Sequence, residues 1–359
     1  MSSNRLGIPR IGRLPSGPRD AITDVAGVTV GHRTRDEGPG SGIHTGVTVV
    51  RPHDGDPYLQ RVPAGFVVLN GFGKSVGLMQ VEELGVLETP IALTNTFAVP
   101  AVAAAQIRQC IEANPECGRA LPTVNPLVFE CNDGFLNDIQ RPVVTGDDYL
   151  HAWRTAGTGV AQGSVGAGRG MSSFALKGGI GTASRSVTDA GGRHTVGVLV
   201  LANFGVPANL TIAGEALGER LAERIAARTA GGSASPEAPG PEKGSIIMVI
   251  ATDAPLDTRQ LRRLALRAGA GLARTGSVFG HGSGDIALAF STAYTVPLRP
   301  DARMPAVAML HDATLDGLFQ ATADGVEQAI LHALWHAGSI TGRNGHVRPA
   351  LADLLSELP

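Results

Sequence analysis

Charged and aromatic side chains are scarce in this chain. Of 359 residues, 17 % are charged and 4 % aromatic, and the two signs nearly cancel at a net charge of −2. No long basic block occurs, which removes the electrostatic footprint of a nucleic-acid binder. No stretch approaches the about 18 unbroken apolar residues needed to cross a bilayer. The opening MSSNRLGIPRIGRLPSGPRD is basic but lacks the apolar core of a secretory signal. A soluble cytoplasmic protein is expected. The three cysteines, Cys110, Cys117 and Cys131, have no C-x-x-C spacing and read as free thiols in a reducing compartment. H-E-x-x-H, Walker A and zinc-spaced cysteine pairs are absent. GHGSGD around Ser283 invites comparison with a G-x-S-x-G nucleophile elbow. That motif needs glycine where His281 and Asp285 stand, so it fails.

Glycine is abundant, with 48 residues, in a chain that is 43 % apolar. Small and aliphatic side chains therefore line an interior in which backbones approach closely or turn sharply. Short β-rich runs come first: GVTVGHRT, TGVTVVRP, AGFVVLNGFG and TPIALTN. VPAVAAAQIRQCIEAN reads as a helix, VNPLVFECN as a strand and TGDDYLHAWRTAG as a helix. A glycine-rich segment, GSVGAGRGMSSFALKGGIGTASR, leads to the strand HTVGVLVLANFG. In GEALGERLAERIAAR, Leu217, Leu221 and Ile225 share a helical face. Beyond a polar stretch lie a strand over 245–252 and a helix from Asp257 with Leu261, Leu264, Ala268 and Leu272 on one side. The strand DIALAFSTAY and a long helix around 313–337 follow. Several strands are apolar on both faces and must be covered on both sides, which favours an α/β or layered αββα arrangement.

The polar stretch, GGSASPEAPGPEK over 231–243, reads as a flexible linker. It ends at Gly244-Ser245, immediately before the apolar run Ile246 to Ile250. The segment after it has two clear strands, too few to close a core, so the linker lies within one domain spanning 1–359. A serine hydroxyl is a poor nucleophile unless a base takes its proton. If the chain is cut before Ser245, the new α-amino group, with an ordinary pKa of about 7.7–8.0, is such a base. Gly244 lets the hydroxyl approach the preceding carbonyl, and the linker lets the released end withdraw. A linker serine that merely begins a strand is the plain alternative.

GSIIMVIATDAPL and LARTGSVFGHGSGDIALAFSTA resemble the self-processing L-aminopeptidase/D-esterase and β-peptidyl aminopeptidase family. So do VGVLVLANFG, ECNDGFLNDI, VGAGRGM, KGGIGTASR and TGRNGH, in the family's order. The resemblance runs from AITDVAGVTVGH almost to the C-terminus. It implies a four-layer αββα sandwich and autocleavage between Gly244 and Ser245. The products would be a large subunit, 1–244, and a small subunit, 245–359, assembling into a homo-oligomer, a tetramer of cleaved heterodimers. Ser245 becomes the nucleophile, and Ser283 with Asp285 matches the serine that hydrogen-bonds it and the carboxylate that orients that serine. Asn203 matches the oxyanion donor, and Glu130 the carboxylate that holds the substrate's free amino group. Asn132 stands where some members place a tyrosine on the reacting carbonyl, which leaves that contact open. Phe135 fits a pocket wall or the core.

The resemblance thus implies an aminopeptidase acting on short peptides, amides or esters of L-, D- or β-amino acids. It would use an acyl-enzyme on Ser245, with no metal, cofactor, nucleic acid or membrane. His281 is a candidate pH modulator. An amino-acid oligomer hydrolase of nylon type is a second reading, though its relatives use threonine. A non-catalytic binding protein with an inert linker is a third. Phosphate cradles at GSVGAGRGM or KGGIGTASR would give a fourth, but neither has the strand-before, helix-after setting.

Overall fold

The computed structural model describes residues 7–189, 192–229 and 243–356. All of the expected linker except its last residue lies outside these. Nine principal strands run in chain order: β1 (Thr29–Asp36), β2 (His44–Arg51), β3 (Gln60–Gly71), β4 (Ile91–Asn95), β5 (Val128–Cys131), β6 (Gly179–Asp189), β7 (Gly192–Asn203), β8 (Lys243–Thr252) and β9 (Gly282–Ser291). The main helices are α1 (Val99–Ala113), α2 (Gly146–Arg154), α3 (Gly218–Thr229), α4 (Thr258–Arg274) and α5 (Asp316–Trp335).

The strands form two principal sheets. One has the order β1-β2-β4-β5. The other runs from the short Val296–Pro297 through β3, β9, β8, β7 and β6, with Val86–Leu87 also paired to β3. Within it β8 and β9 are parallel, and the other long neighbours are antiparallel. Mixed α/β organisation is therefore established.

The alternating faces of β8 explain how the sheets pack. Ile247, Val249 and Ala251 join Val30, Val50, Leu93 and Phe129 of the smaller sheet in one buried cluster. Ile246, Met248 and Ile250 point the other way, into a cluster with Leu261, Leu264, Ala268 and Leu272 of α4 and with Leu318, Val326 and Ile330 of α5. On the far side of the smaller sheet, Val47, Val49, Ala92 and Val128 pack against Val102 and Ala105 of α1 and Tyr149 and Ala152 of α2. A strand buried on both faces reads as a continuous apolar run, as 246–251 does. Each fully buried aliphatic side chain contributes about 1.5–3 kcal/mol relative to exposure.

Local chemistry sets the ends of α4. Asp257 accepts a hydrogen bond from the Gln260 amide at 2.7 Å, and the Gln260 side chain accepts from the Asp257 amide at 3.1 Å. This reciprocal capping box satisfies donors that the first turn leaves unpaired. The helix begins where the sequence expectation placed it. The eleven-residue strand β6 is different, because its first half falls in the segment read only as glycine-rich. Those glycines serve close packing: a Cβ at Gly181 would lie 1.8 Å from the Ala329 carbonyl oxygen of α5. GSVGAGRGM likewise folds into a compact turn, Gly166–Gly170, against β2 and β6.

Candidate active site

Three neighbouring strand ends meet at one end of the larger sheet. In register, Asn203 of β7 faces Ser245 of β8, and Ser245 faces Gly284 of β9. Gly244 is paired with Ser283. Residues far apart in the chain are thus brought together by strand pairing alone. Gly244 sits at φ 141°, and a Cβ there would lie 2.1 Å from the Asn203 carbonyl oxygen. Only glycine fits that conformation and that gap. Ser245 is buried, and its Oγ lies 2.6 Å from the Gly244 carbonyl oxygen, to which it donates. The Gly284 amide donates to the same Oγ at 3.3 Å.

Ser283 and Asp285 are fully buried, and the Ser283 hydroxyl donates to Asp285 Oδ1 at 2.5 Å. Residues i and i+2 of a strand share a face, which permits this bond. The register between β9 and β3 shifts immediately after Asp285. Such bulges re-aim side chains beside functional sites. The resemblance implied that Ser283 would hydrogen-bond the nucleophile. In the structure its hydroxyl is turned to Asp285, and the Gly284 amide meets the Ser245 hydroxyl. The pairing explains the difference: Ser283 stands one residue out of step with Ser245, and neighbouring positions alternate faces.

Asn203 is held at both ends of its amide. Its Oδ1 accepts from the Ser172 amide at 2.8 Å, and its Nδ2 donates to the Asn132 carbonyl at 3.0 Å. An amide nitrogen carries two hydrogens, so one remains for a developing oxyanion. Asn132 contributes its backbone here. Its exposed side chain accepts from the Gly134 amide at 2.8 Å within a turn. Lys177 supports the loop before Ser172 and was not singled out in the sequence. This fully buried ammonium donates to the carbonyls of Gly168, Met171 and Gly178 at 2.9, 2.7 and 2.7 Å. Burial, and then the nearby Arg169 charge, drive its pKa well below the ordinary lysine value.

Glu130 lies one residue before the end of β5 and is buried. Its Oε1 accepts from the Lys74 amide at 2.8 Å, and its Oε2 accepts from the Thr96 hydroxyl. A carboxylate has about four lone-pair sites, so this clamp leaves room for an ammonium. Gly73 lies against both it and β9. A Cβ placed at Gly73 would lie 3.7 Å from Glu130 Oε1 and 3.8 Å from Gly284 Cα. Asp133, in the same ECND run, is buried with Asn137 Nδ2 donating to it at 3.0 Å. Burial pushes its pKa up to about 6, against hydrogen bonds from Thr45, Asn137 and Asn95.

Phe135 is half-buried and belongs to neither alternative outright. Its ring stacks on His346 at 4.6 Å between centroids, with the Arg348 guanidinium 3.4 Å from the ring centre. His281 is exposed, with its ring 6.1 Å from that of Phe72. Among the described residues no group of three or more His, Cys, Asp and Glu side chains is placed to hold a metal ion. A cavity of about 270 Å³ lined by Arg51, Tyr58, Gln106 and Trp153, among others, contains none of the site residues. Chemistry rather than cavity volume marks this site.

Strand-end serine, buried serine–carboxylate pair and clamped glutamate on a two-sheet α/β frame suit a hydrolase that acts beside a free amine. Comparison with known proteins agrees. Residues 20–348 match peptidase family S58. The chain is 40 % identical over 348 residues to the β-peptidyl aminopeptidase BapA of Sphingosinicella xenopeptidilytica, covering 94 % of this chain and 86 % of that one. A Burkholderia sp. β-aminopeptidase superposes with a TM-score of 0.87 at 42 % identity, over 99 % of this chain and 97 % of the other. The L-aminopeptidase D-Ala-esterase/amidase of Ochrobactrum anthropi, a serine aminopeptidase with a variant Ntn-hydrolase fold, gives 0.86 at 35 % identity, over 97 % and 95 %. This chain belongs to peptidase family S58 and is a serine aminopeptidase. Among the described residues no helix is long and apolar enough to cross a membrane.

Proposed function

We propose that the chain cleaves itself between Gly244 and Ser245 and then removes amino-terminal residues from short peptides, amides or esters of L-, D- or β-amino acids. The observation that carries this reading is the Ser245 hydroxyl, 2.6 Å from the Gly244 carbonyl oxygen, at a position where only glycine fits. In the first stage Oγ attacks the Gly244 carbonyl carbon, the peptide nitrogen leaves as the Ser245 α-amine, and water hydrolyses the resulting ester. The pieces 1–244 and 245–359 stay together because β8 is hydrogen-bonded between β7 and β9.

In the second stage the α-amine, on the same residue as the hydroxyl, takes its proton as Oγ attacks the substrate carbonyl. Asn203 Nδ2 stabilises the oxyanion, a contribution of about 2.7–4 kcal/mol for one preorganised donor. Ser283, opposite Gly244 and tied to Asp285, faces the end of the chain that becomes the amine and holds its charge. Glu130 pairs with the substrate ammonium and so measures the chain end. The leaving amine departs, and water releases the acyl group. No step requires a metal or cofactor.

The three clusters support a four-layer αββα sandwich. The family likeness further supports a cytoplasmic homo-oligomer, a tetramer of cleaved heterodimers, with no nucleic-acid or membrane partner. The catalytic reading is tested with amino-acid p-nitroanilides whose amine is either free or acetylated. Nitroaniline should be released from the free amines alone. Equal release from both would contradict the role of Glu130 and the aminopeptidase reading.

A further inference from the structure

Among the described residues, two phenylalanines stand out as strongly exposed: Phe72 at 54 % and Phe97 at 59 %. Both adjoin the residues that clamp Glu130. Phe97 follows Thr96, whose hydroxyl donates to Oε2. Phe72 lies two residues before Lys74, whose amide donates to Oε1. Between Phe72 and Lys74 runs Gly73, beside both Glu130 and Gly284. The Phe72 amide also donates to the Ser283 carbonyl at 3.3 Å, which ties this crossing segment to the nucleophile strands. Lys74 Nζ lies 4.1 Å from the centre of the Phe72 ring, holding it against the crossing.

Exposed aromatic rings cost solvation, and large apolar side chains exposed beside a reacting centre mark a contact surface. Here the occupant is specified by what each ring adjoins, the clamp on Glu130. Glu130 fixes an ammonium and Ser245 a carbonyl, so the side chain of the substrate's first residue must project from between those two points. We propose that Phe72 and Phe97 bind that side chain, so that the enzyme prefers substrates whose amino-terminal residue is large and apolar, above all aromatic. This rests on the aminopeptidase reading above. Ring–ring contact adds to simple area burial, and preference for one side chain over another is a difference of transition-state contacts.

The test uses the full-length mature protein and four p-nitroanilides, those of L-phenylalanine, glycine, β-homophenylalanine and β-alanine. In wild type, kcat/KM should favour the aromatic member of the hydrolysed pair by about tenfold or more. In Phe72→Ala, Phe97→Ala and the double variant that ratio should fall, most in the double, with the aromatic substrate losing the more. Phe72→Leu should recover part of the preference, because an apolar contact returns while the backbone bond to Ser283 is unchanged throughout. Turnover with an unchanged ratio, or equal losses on both substrates, overturns the inference alone. Failure of cleaved wild-type protein to hydrolyse any of the four overturns the aminopeptidase reading and the inference with it.

Discussion

Ser245 and Ser283 lie on adjacent parallel strands, one residue out of step, and their surroundings differ in a way that suits two different proposed roles. The Ser245 hydroxyl donates to the peptide carbonyl before it and accepts from the Gly284 amide. Among the described residues no carboxylate bonds to it. The Ser283 hydroxyl is committed at 2.5 Å to Asp285, inside a fully buried pair. A hydroxyl held by a buried carboxylate is fixed in one orientation, whereas one beside the Gly244 carbonyl suits the proposed role of nucleophile. Residue type does not separate these roles. The partner does.

Substitution can break that comparison, and the largest effect belongs to Ser245. Ser245→Ala should leave an uncleaved chain with turnover reduced at least about 10⁴-fold, as when a covalent nucleophile is removed. Next comes the committed serine's partner. Asp285→Asn keeps the shape but removes the charge, and kcat should fall about 10²–10⁴-fold, the range for lost proton handling. If Asp285→Asn cost no more than a substitution at an exposed position remote from the site, the two serines would not differ as described. Asn203→Ala should lower kcat about 10²–10³-fold with little change in KM, since its donor matters when the oxyanion forms. Glu130→Gln should mainly raise KM, by about 10–100-fold, because a hydrogen bond to a charged group contributes about 1.5–3 kcal/mol.

The smallest effect sharpens the comparison from outside, through a buried carboxylate that the proposed mechanism does not use. Asp133 has a folded pKa of about 6, raised by burial above the ordinary 3.8. Between those values the folded chain binds more protons than the unfolded chain. Stability should therefore fall as pH rises through about 4 to 6, by on the order of 1–3 kcal/mol. Asp133→Asn should flatten that slope in denaturant titrations. An unchanged slope would show that Asp133 is not the group responsible.

Much of this was legible in the sequence for identifiable reasons. The run 246–250 announced a strand buried on both faces, and Asp257 with Gln260 announced where α4 starts. Strand β6 was hidden because Gly179 and Gly181, which let its backbone approach the Gly163 carbonyl and α5 respectively, carry no β-forming side chain. Ser245 stood out at the end of the linker, whereas Ser283, Asp285, Asn203 and Glu130 came from the resemblance, and β7, β8 and β9 bring Ser245, Ser283, Asp285 and Asn203 to one sheet end. The Gly284 amide, the Asn132 carbonyl and the carbonyls around Lys177 could not be read in advance. Backbone groups are the same in every residue, and only the register decides which one faces the site. The resemblance paired Ser283 with both Asp285 and Ser245, and the sequence pattern could not show that its hydroxyl donates to Asp285 rather than to Ser245.

The central claim is that Ser245 is a nucleophile made by the chain's own cleavage. Intact mass under denaturing conditions, on freshly purified wild type and Ser245→Ala, tests it most directly. Two fragments, 1–244 and 245–359, are expected from wild type, and one chain of 36.9 kDa from the variant. Two fragments from the variant, or a single active chain from wild type, would contradict it.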